Sequence, residues 1–440
     1  MSGVRCLQIL LGDVKVGSLF GLDNGYSYFR FDESYVLNSE RPILSIQYQG
    51  STEDETIAVL LDRHLSVNAG TDGRLPVYFR NLLPEGVLRN HLILEANLSP
   101  NDELGLLAFC GTDLPGNVVA LHEELTEKSI ASLLTQDLDS YELSSYQLPT
   151  PDATSLSGFQ PKVSLINDSN GRYVMRSKNH KGLHFIGKLP ASGFAGLPEV
   201  EHLSLSLARA AKVNTCEAEL LPLTAIADKL PFSMNDDARR FLLVHRFDRD
   251  VATQTKRLHM EDFAQVLSLD PESKYKGTYL EIGLVLLERS SDPLGDIDQL
   301  LRRIMVNELI GNYDAHAKNF SLLYGRDGRT CSLSPAYDIV AYASFLSGQG
   351  HGLRFTNEDT PRKQITPTIV RTLANYWNFP ENKIKDILKD VVLLALNSWP
   401  TLIAESQISD RQKEMLLQHF YENAHVQRLT KSNPARKAAT

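Results

Sequence analysis

Three polar residues in the second half of the chain have types and spacing that could do chemistry. Asp314 and Asn319 lie five residues apart in one loop, and Asp338 follows 19 residues later. In phosphoryl transfer one carboxylate orients the attacking hydroxyl, while an asparagine and a second carboxylate hold Mg²⁺ against the phosphates. We therefore predict Asp314 as the catalytic base and Asn319 and Asp338 as the metal ligands. Because most loop Asp and Asn residues only cap helices or stabilise turns, the spacing alone leaves both interpretations open.

The same loop offers a second kind of site, a hydrolytic metal centre. Asp314 and His316 could both bind a metal ion, but the sequence shows no clear third ligand. A histidine that stands between two alanines, as His316 does, is usually structural and only sometimes contacts a ligand. We keep this centre as the alternative to phosphoryl transfer for the loop.

A lysine and a glutamate form a further candidate pair. Lys188 lies near the end of a predicted strand, Leu183–Leu189, and Glu201 lies in the opening turn of the predicted helix that follows. A strand lysine that pairs with a helix carboxylate is how kinases orient the α- and β-phosphates of ATP. Taken alone, an exposed lysine and a first-turn glutamate favoured by the helix dipole would account for both residues.

The segment Ser155–Lys162, which precedes this pair, is a candidate phosphate-binding loop. It contains one glycine, Gly158, which is too few for a Walker or glycine-rich loop. The pattern alone is therefore a weak indication of phosphate binding.

Three units must position these residues, and their strand and helix patterns predict an α+β fold. Residues 1–148 begin with strand-like stretches separated by turn residues, which predicts a small antiparallel sheet followed by helices. The predicted elements of this unit are Gln8–Leu11, Val14–Leu19, Tyr26–Phe31, Pro84–Ala96 and Ser129–Leu134. A polar stretch with Pro149 and Pro151 marks the boundary to the next unit.

Residues 149–250 have the pattern of a small sheet with one helix, and residues 251–440 are mainly helical. The predicted strands are Lys162–Ile166, Arg172–Arg176, Leu183–Leu189, Glu217–Leu221 and Phe241–Arg246, and the helix starts at Pro198. A helix with the apolar stripe Ile297, Leu300, Leu301 and Ile304 precedes the Asp314 loop, and the hairpin Phe320–Tyr324 with Cys331–Leu333 follows it. This order is that of a kinase catalytic lobe, so we predict a two-lobed, protein-kinase-like domain.

Composition excludes several other classes of protein. The 440 residues are 42% hydrophobic and 22% charged, which is typical of a globular chain and not of a disordered one. The net charge of −9 argues against a broad basic face for nucleic acid. The four cysteines form no C-x-x-C pair, and no apolar run approaches the roughly 20 residues that cross a bilayer. We therefore expect a cytoplasmic protein with reduced thiols and no membrane partner.

Several of these motifs, in this order, resemble those of the HipA family of serine/threonine kinases, the toxin component of bacterial toxin–antitoxin pairs. The resemblance covers nearly the whole chain. The matching segments are Phe79–Pro84, Ser155–Lys162, Ile186–Pro190, Val244–Arg249, Asp314–Asn319 and Pro335–Asp338.

The resemblance implies a site for ATP and Mg²⁺, with Asp314 as the catalytic residue and Glu201 as the partner of Lys188. A loop would cover the phosphates, and a hinge would contact the adenine largely through backbone groups. The implied ATP-binding residues are Ser157, Gly158, Phe159, Gln160, Pro161, Lys162, Lys188, His245, Arg246, Phe247, His316, Ala317, Lys318, Asn319, Tyr337 and Asp338. Asn319 and Asp338 would hold the metal ion.

The family also implies autoregulation, in which a loop serine is autophosphorylated and activity falls. Ser155 matches that serine best, and Ser157 lies two residues on. The resemblance further implies a translation component as the protein substrate, with an aminoacyl-tRNA synthetase as one candidate. It implies a small helix-turn-helix, HipB-like antitoxin, through which the protein would reach operator DNA. Two alternatives stay open: a small-molecule kinase of similar lobe architecture, and a non-catalytic, nucleotide-binding co-repressor scaffold.

Overall fold

The structure is a computed structural model of the whole chain. It describes residues 3–124, 144–145, 160–167, 173–175, 184–191, 193–226, 230, 239–249, 257–348, 350–360 and 363–431. The predicted helix Ser129–Leu134, most of the predicted domain boundary and the segment from Ser155 to Phe159 lie outside these residues.

The N-terminal part forms a six-stranded sheet with short helices packed on it. Its strands are β1 (Gly3–Leu11), β2 (Val14–Leu22), β3 (Ser27–Phe31), β4 (Ala69–Gly70), β5 (Val118–His122) and β6 (Ser144–Ser145). The order is β4-β3-β2-β1-β5, and β6 pairs with β1. Its helices are α1 (Glu33–Val36), α2 (Glu53–Leu61), α3 (Val77–Arg80), α4 (Gly86–Glu95) and α5 (Glu103–Cys110).

The β1–β2 hairpin follows from its two-residue turn. Leu11 pairs with Val14, and Gly12 between them has a φ of +62°, which glycine adopts at little cost. The strand-like stretches on either side of Gly12-Asp13 and the alternation in β3 predict the first three strands. Helix α5 was not predicted, because its residues are buried on every side and show no 3.6-residue period.

A second sheet carries the candidate lysines. Its strands are β7 (Lys162–Asn167), β8 (Tyr173–Met175), β9 (His184–Lys188), β10 (Ala218–Pro222) and β11 (Arg240–His245), in the order β10-β11-β9-β7-β8. The helix α6 (Leu197–Ala210) packs across β11 and β10 through the predicted apolar residues Val200, Leu203 and Leu207. This is the five-stranded sheet with one helix that the sequence predicts for the second unit.

The C-terminal part is helical around one small sheet. Its helices are α7 (Phe263–Val266), α8 (Tyr279–Arg289), α9 (Pro293–Ile310), α10 (Pro367–Tyr376), α11 (Glu381–Glu405), α12 (Asp410–Glu422) and α13 (Ala424–Lys431). Strands β13 (Ser321–Tyr324) and β14 (Cys331–Leu333) form the predicted hairpin, and β12 (Met260–Asp262), which was not predicted, pairs with β13. The fold is therefore α+β and two-lobed, as expected.

One described helix, α11, is long and apolar enough to cross a membrane by length and composition alone, contrary to the expectation that no segment is. In the fold its apolar face packs in the main core, where Trp399 donates a hydrogen bond to the carbonyl oxygen of Leu207 at 3.0 Å. Core helices of this length pass the same test, so α11 is accounted for by its place between α6 and α9.

A buried ion network joins the N-terminal part to the end of β11. Asp113 is fully buried and pairs with Arg249 at 2.8 Å and with Arg246 at 3.3 Å. Asp248 pairs with both arginines and accepts a hydrogen bond from the backbone of Gly116 at 2.8 Å. Because buried charges need partners, this network ties the two parts together at the rim of the candidate site.

Candidate active site

Lys188 lies between two carboxylates at the end of β9. Its amine contacts both Glu201 on α6 and Asp338 after the β13–β14 hairpin. Lys188 is 4% exposed and Glu201 is 1% exposed, so the reading of an exposed lysine beside a surface glutamate is wrong. Glu201 also lies one residue further into its helix than predicted, just past the first turn, because the helix begins at Leu197.

A second lysine points to the same aspartate. The register of β7 and β9 pairs Lys162 with Lys188, which places both side chains on one face of the sheet. The Lys162 amine lies 3.7 Å from the Asp338 carboxylate. The sheet therefore presents two buried cations to one half-buried anion, with Glu201 behind them.

Burial and charge act against each other in this cluster. Burial alone would lower the pKa of Lys188, but Asp338 and Glu201 outweigh it and raise that pKa above its usual value. Burial would raise the pKa of Asp338, but Lys162 and Lys188 hold it well below its usual range. Lys162 has its pKa lowered, chiefly by burial. Lys188 and Asp338 therefore both stay charged at any working pH.

Asp338 adopts a backbone conformation that few non-glycine residues adopt. Its φ is +52°, in the left-handed region where Asp and Asn are tolerated best. Asn319 donates a hydrogen bond to Asp338 at 3.4 Å, and the backbone of His316 donates to the Asn319 amide oxygen at 3.0 Å. The two predicted metal ligands are thus adjacent, and the strained backbone aims Asp338 at the lysines.

The loop that carries Asp314 begins where α9 ends. Gly311 ends the helix with a φ of +63°, and a Cβ there would lie 2.7 Å from the Cβ of Ala343. Asp314 is half-buried, and burial raises its pKa. The hydroxyls of Tyr275 and Tyr342 donate to its carboxylate, the second at 3.5 Å. Sequence reasoning missed both tyrosines, since nothing in the local pattern links them to Asp314.

A cavity opens beside the lysine cluster and encloses about 870 Å³, its mouth included. Lys162, Lys188 and Asp338 line one part, and apolar side chains including Ile186, Val244 and Met260 line another. Its remaining wall is formed by Asn81, Pro115, Cys216, His245, Arg246, Phe247, Asp248, Asp262, Gln265, Lys318 and Tyr337. A cavity with apolar walls and a few convergent charges has the character of a small-molecule site.

The three predicted hinge residues all line this cavity, but their side chains make different contacts. Phe247 packs against Tyr337 with ring centroids 5.5 Å apart, and His245 lies edge-on to Phe185. The guanidinium of Arg246 is taken up by the buried ion network described above. Any contact of Arg246 with a ligand would therefore use its backbone.

His316 is buried and packs edge-on against Tyr275. Burial lowers the pKa of His316 to about 3, so its ring is neutral, and its Nδ1 has no hydrogen-bond partner among the described residues. Among the described residues no group of three His, Cys, Asp or Glu side chains could hold a metal ion. This arrangement gives no support to the hydrolytic metal centre.

The remaining predicted site residues are Lys318, Ala317, Gln160 and Pro161, together with four that lie outside the described residues. Lys318 lines the cavity, but its amine points away to Glu85 and to the backbone of Asn81. Ala317 is buried. The amide of Gln160 donates to the carbonyl oxygen of Leu189 at 2.9 Å, and the backbone of Pro161 accepts from that of Leu189. Ser155, Ser157, Gly158 and Phe159 lie outside the described residues.

Asn319 and Asp338 fit the chemistry of a magnesium site. Mg²⁺ is usually held by one or two protein carboxylates together with waters and substrate phosphates, so a dense protein cage is unnecessary. The Asn319 amide lies beside the Asp338 carboxylate, with its nitrogen toward Asp338 and its oxygen toward the His316 backbone, and two lysine amines lie next to Asp338. These are the residue types that bind phosphates and the metal ion that accompanies them.

Asp262 and Gln265 are cavity residues that sequence reasoning missed. Asp262 caps α7 by accepting from the backbone of Gln265 at 2.9 Å, and burial raises the pKa of Asp262 to about 6. An Asp followed three residues later by Gln is a capping-box pattern, which could have located the helix. It could not have shown that the helix start faces the cavity.

Family models and similar proteins agree in relating this chain to the HipA family. The family model of the HipA-like C-terminal domain matches residues 154–399, and that of the HipA N-terminal domain matches residues 7–121. Y4dM of Sinorhizobium fredii, provisionally named a kinase, is 34% identical over 352 residues, which are 79% of this chain and 80% of that protein. The serine/threonine-protein kinase toxin HipA of Shewanella oneidensis is 23% identical over 300 residues, 62% of this chain and 64% of that one.

A solved structure shares the fold. HipA of Shewanella oneidensis, determined in complex with HipB and its operator DNA, superposes with a TM-score of 0.66 at 16% identity and covers 97% of both chains. The family models together span both halves of the chain, and relatives carry the name of kinase. The chain therefore belongs to the HipA family, whose members include serine/threonine-protein kinase toxins.

Proposed function

We propose that this protein is an ATP- and Mg²⁺-dependent serine/threonine protein kinase. The observation that carries the proposal is the buried Lys188, held between Glu201 and Asp338 at the wall of the cavity. A buried cation held by two anions is costly to build, and perturbed charges in a cleft are typical of functional sites. Membership of a family with kinase members supports the same reading.

Each residue has a defined task in this proposal. Lys188 and Lys162 bind the phosphates of ATP, and Asp314 accepts the proton of the attacking serine or threonine hydroxyl. The Oγ–P bond then forms as the bond from the γ-phosphorus to the bridging oxygen breaks, and ADP leaves. Asn319 and Asp338 would hold Mg²⁺, which when bound would neutralise charge on the phosphate oxygens.

The toxin role and its partners are part of the proposal. The protein would restrain growth by phosphorylating a translation component, with an aminoacyl-tRNA synthetase as the candidate, and it would act in the cytoplasm. It would bind a helix-turn-helix, HipB-like antitoxin and reach operator DNA through it. The fold shared with a HipA that was solved with HipB and operator DNA supports these partners. We retain 1–148, 149–250 and 251–440 as the proposed domains.

We also propose inhibitory autophosphorylation at Ser155 or Ser157. Both serines precede Gln160, which is anchored next to the lysine cluster through Leu189. A phosphate on this segment would carry nearly two negative charges. It would therefore compete with the phosphates of ATP for Lys162 and Lys188.

One experiment tests the kinase and its regulation together. The purified protein and its Asp314→Gln variant are incubated with Mg²⁺ and ATP and then analysed by intact and peptide mass spectrometry. We expect one added phosphate on Ser155 or Ser157 in the wild type and none in the variant. Measurable ATP binding without any phosphate on the wild-type protein would instead favour the scaffold or the small-molecule kinase.

A further inference from the structure

The segment from Arg80 to Glu85, between α3 and α4, connects the N-terminal part to the loops around Asp314. We call it the clamp segment. Arg80 pairs with Glu103 in its own part, and across the interface with Asp270 and with Glu272 at 2.8 Å. Asn81 donates to the carbonyl oxygen of Leu269 at 2.9 Å. These contacts fix the clamp segment against residues 269–272.

Glu85 makes the most direct contact with the candidate active site. It occupies the N-cap position of α4, but its side chain forms no capping hydrogen bond. Its carboxylate instead pairs with Lys318 at 2.7 Å and with Lys274 at 3.2 Å. The Glu85 carboxylate is therefore committed to the two lysines and not to the start of α4.

The two lysines hold opposite sides of the Asp314 loop. Lys318 directly precedes Asn319, and its amine also donates to the backbone oxygen of Asn81 at 3.1 Å. Lys274 directly precedes Tyr275, whose hydroxyl donates to Asp314. The backbone oxygen of Lys274 accepts from Ala317 at 3.0 Å. One carboxylate therefore anchors both the predicted metal ligand and the tyrosine that holds the predicted base.

The charge of Glu85 is permanent. Burial would raise the pKa of Glu85, but Lys318 and Lys274 outweigh it and lower that pKa to about 2. Both lysines are themselves buried. Without Glu85, the two buried ammonium groups would lose the carboxylate that they share, and the loops that carry them would move apart.

We propose that Glu85 is a positioning residue for phosphoryl transfer, which it serves by holding Lys318 and Lys274 and hence the Asp314 loop. This inference rests on the proposed kinase function. Glu85 does not line the cavity, so ATP would still bind after its replacement. A shift of about 1 Å in reacting groups can cost roughly 100-fold in rate, so turnover would fall while ATP binding is kept.

The test compares Glu85→Gln with Glu272→Gln, which removes a carboxylate from the same interface without touching Lys318 or Lys274. For each variant we would measure kcat for phosphate transfer, the Kd for ATP by calorimetry, and the Tm. We expect Glu85→Gln to lower kcat by about 10- to 100-fold and to change the Kd by less than about threefold. Glu272→Gln should keep the wild-type kcat.

Two further variants separate positioning from general stabilisation. Glu85→Asp keeps the charge on a shorter side chain, so kcat should recover in part; it also replaces Glu85→Gln as the test if that variant does not fold. Lys318→Met should lower kcat little further when it is added to Glu85→Gln, because the Glu85 and Lys318 side chains act as a pair. Additive losses would overturn the inference.

The outcomes distinguish this inference from the function on which it rests. A wild-type kcat in Glu85→Gln, or a loss that follows Tm alone in every variant, contradicts the positioning role and leaves the kinase intact. Absence of phosphate transfer by the wild-type protein contradicts the proposed function, and the inference with it.

Discussion

Lys188 stays charged although it is almost completely buried, because Glu201 and Asp338 flank its amine. A buried charge is costly unless it is paired, and removing one partner leaves the others uncompensated. The residue types of this cluster are therefore tightly constrained by one another. Lys188 also lines the cavity, so we expect stability and the proposed activity to depend on the same side chain.

Replacing Lys188 should affect both properties. In Lys188→Met the carboxylates of Glu201 and Asp338 lose their main counter-ion, which we expect to cost about 3–5 kcal/mol of unfolding free energy. Phosphate transfer should fall at least about 100-fold, because a preorganised charge is lost. Urea unfolding and a transfer assay measure the two effects. Lys385→Met, at an exposed pair on α11, is the control, and equal effects of the two changes would contradict the account.

The pH dependence of turnover should follow Asp314. A base must be unprotonated, and burial raises the pKa of Asp314, so kcat should fall with decreasing pH at a higher pH than for an ordinary aspartate. The Tyr275 hydrogen bond lowers that pKa, so Tyr275→Phe should move the fall to still higher pH. Profiles of kcat against pH test this. The exposed Tyr376 gives the control Tyr376→Phe, which should leave the profile unchanged.

At the scale of elements, periodic patterns in the sequence predicted helices and strands, but they did not predict which side chains contact one another. The apolar stripe of α9, the turn residues between β1 and β2, and the alternation of β3 predicted those elements. The three residues of β12 are too few to show a period, so that strand was missed. Tyr275 and Tyr342 reach Asp314 from 39 and 28 residues away, a proximity that only the fold creates.

Strand β12 supplies a prediction of its own. Burial raises the pKa of Glu261 to about 7, and the Glu261 carboxylate accepts from Tyr324 and from the backbone of Ile46 in the N-terminal part. Its ordinary pKa is 4.5, so the folded protein binds the proton more tightly than the unfolded one. Stability is therefore present below pH 4.5 and is lost as pH rises through about 7.

Glu261→Gln should remove this loss. Relative to wild type, the variant should gain up to about 3 kcal/mol of unfolding free energy between low and neutral pH. Urea unfolding across that range measures the difference. The exposed Glu288 provides the control Glu288→Gln, and a pH dependence that is the same in Glu261→Gln as in wild type would show that Glu261 does not titrate in this way.

At the scale of the whole molecule, the N-terminal part is tied to the candidate active site at two places. One is the ion network of Asp113, and the other is the clamp segment with Glu85. The N-terminal part also lines the cavity through Asn81 and Pro115. We therefore expect a displacement of the N-terminal part to change the geometry of the candidate active site, although most residues of that site lie after residue 148.

Asp113 should be essential to this association. In Asp113→Asn, Asp248 is the one carboxylate partner that Arg246 and Arg249 keep within the described part of the chain, and we expect the loss to cost about 3–5 kcal/mol of unfolding free energy. Denaturant unfolding should show the loss, and limited proteolysis should cut the variant faster. Asp410→Asn changes a fully exposed carboxylate and serves as the control. Equal stability of Asp113→Asn and wild type would contradict a structural role of the network.

We propose that Asp338, held by Lys188 and Asn319, supports transfer of the γ-phosphate of ATP to a serine or threonine. This role is tested by the amount of labelled phosphate that passes from [γ-³²P]ATP into protein, compared between the wild type and Asp338→Asn at equal ATP occupancy. We expect transfer by the wild type and a loss of at least about 100-fold in the variant. Equal transfer by both proteins, or none by a wild type that binds ATP, would contradict this role of Asp338.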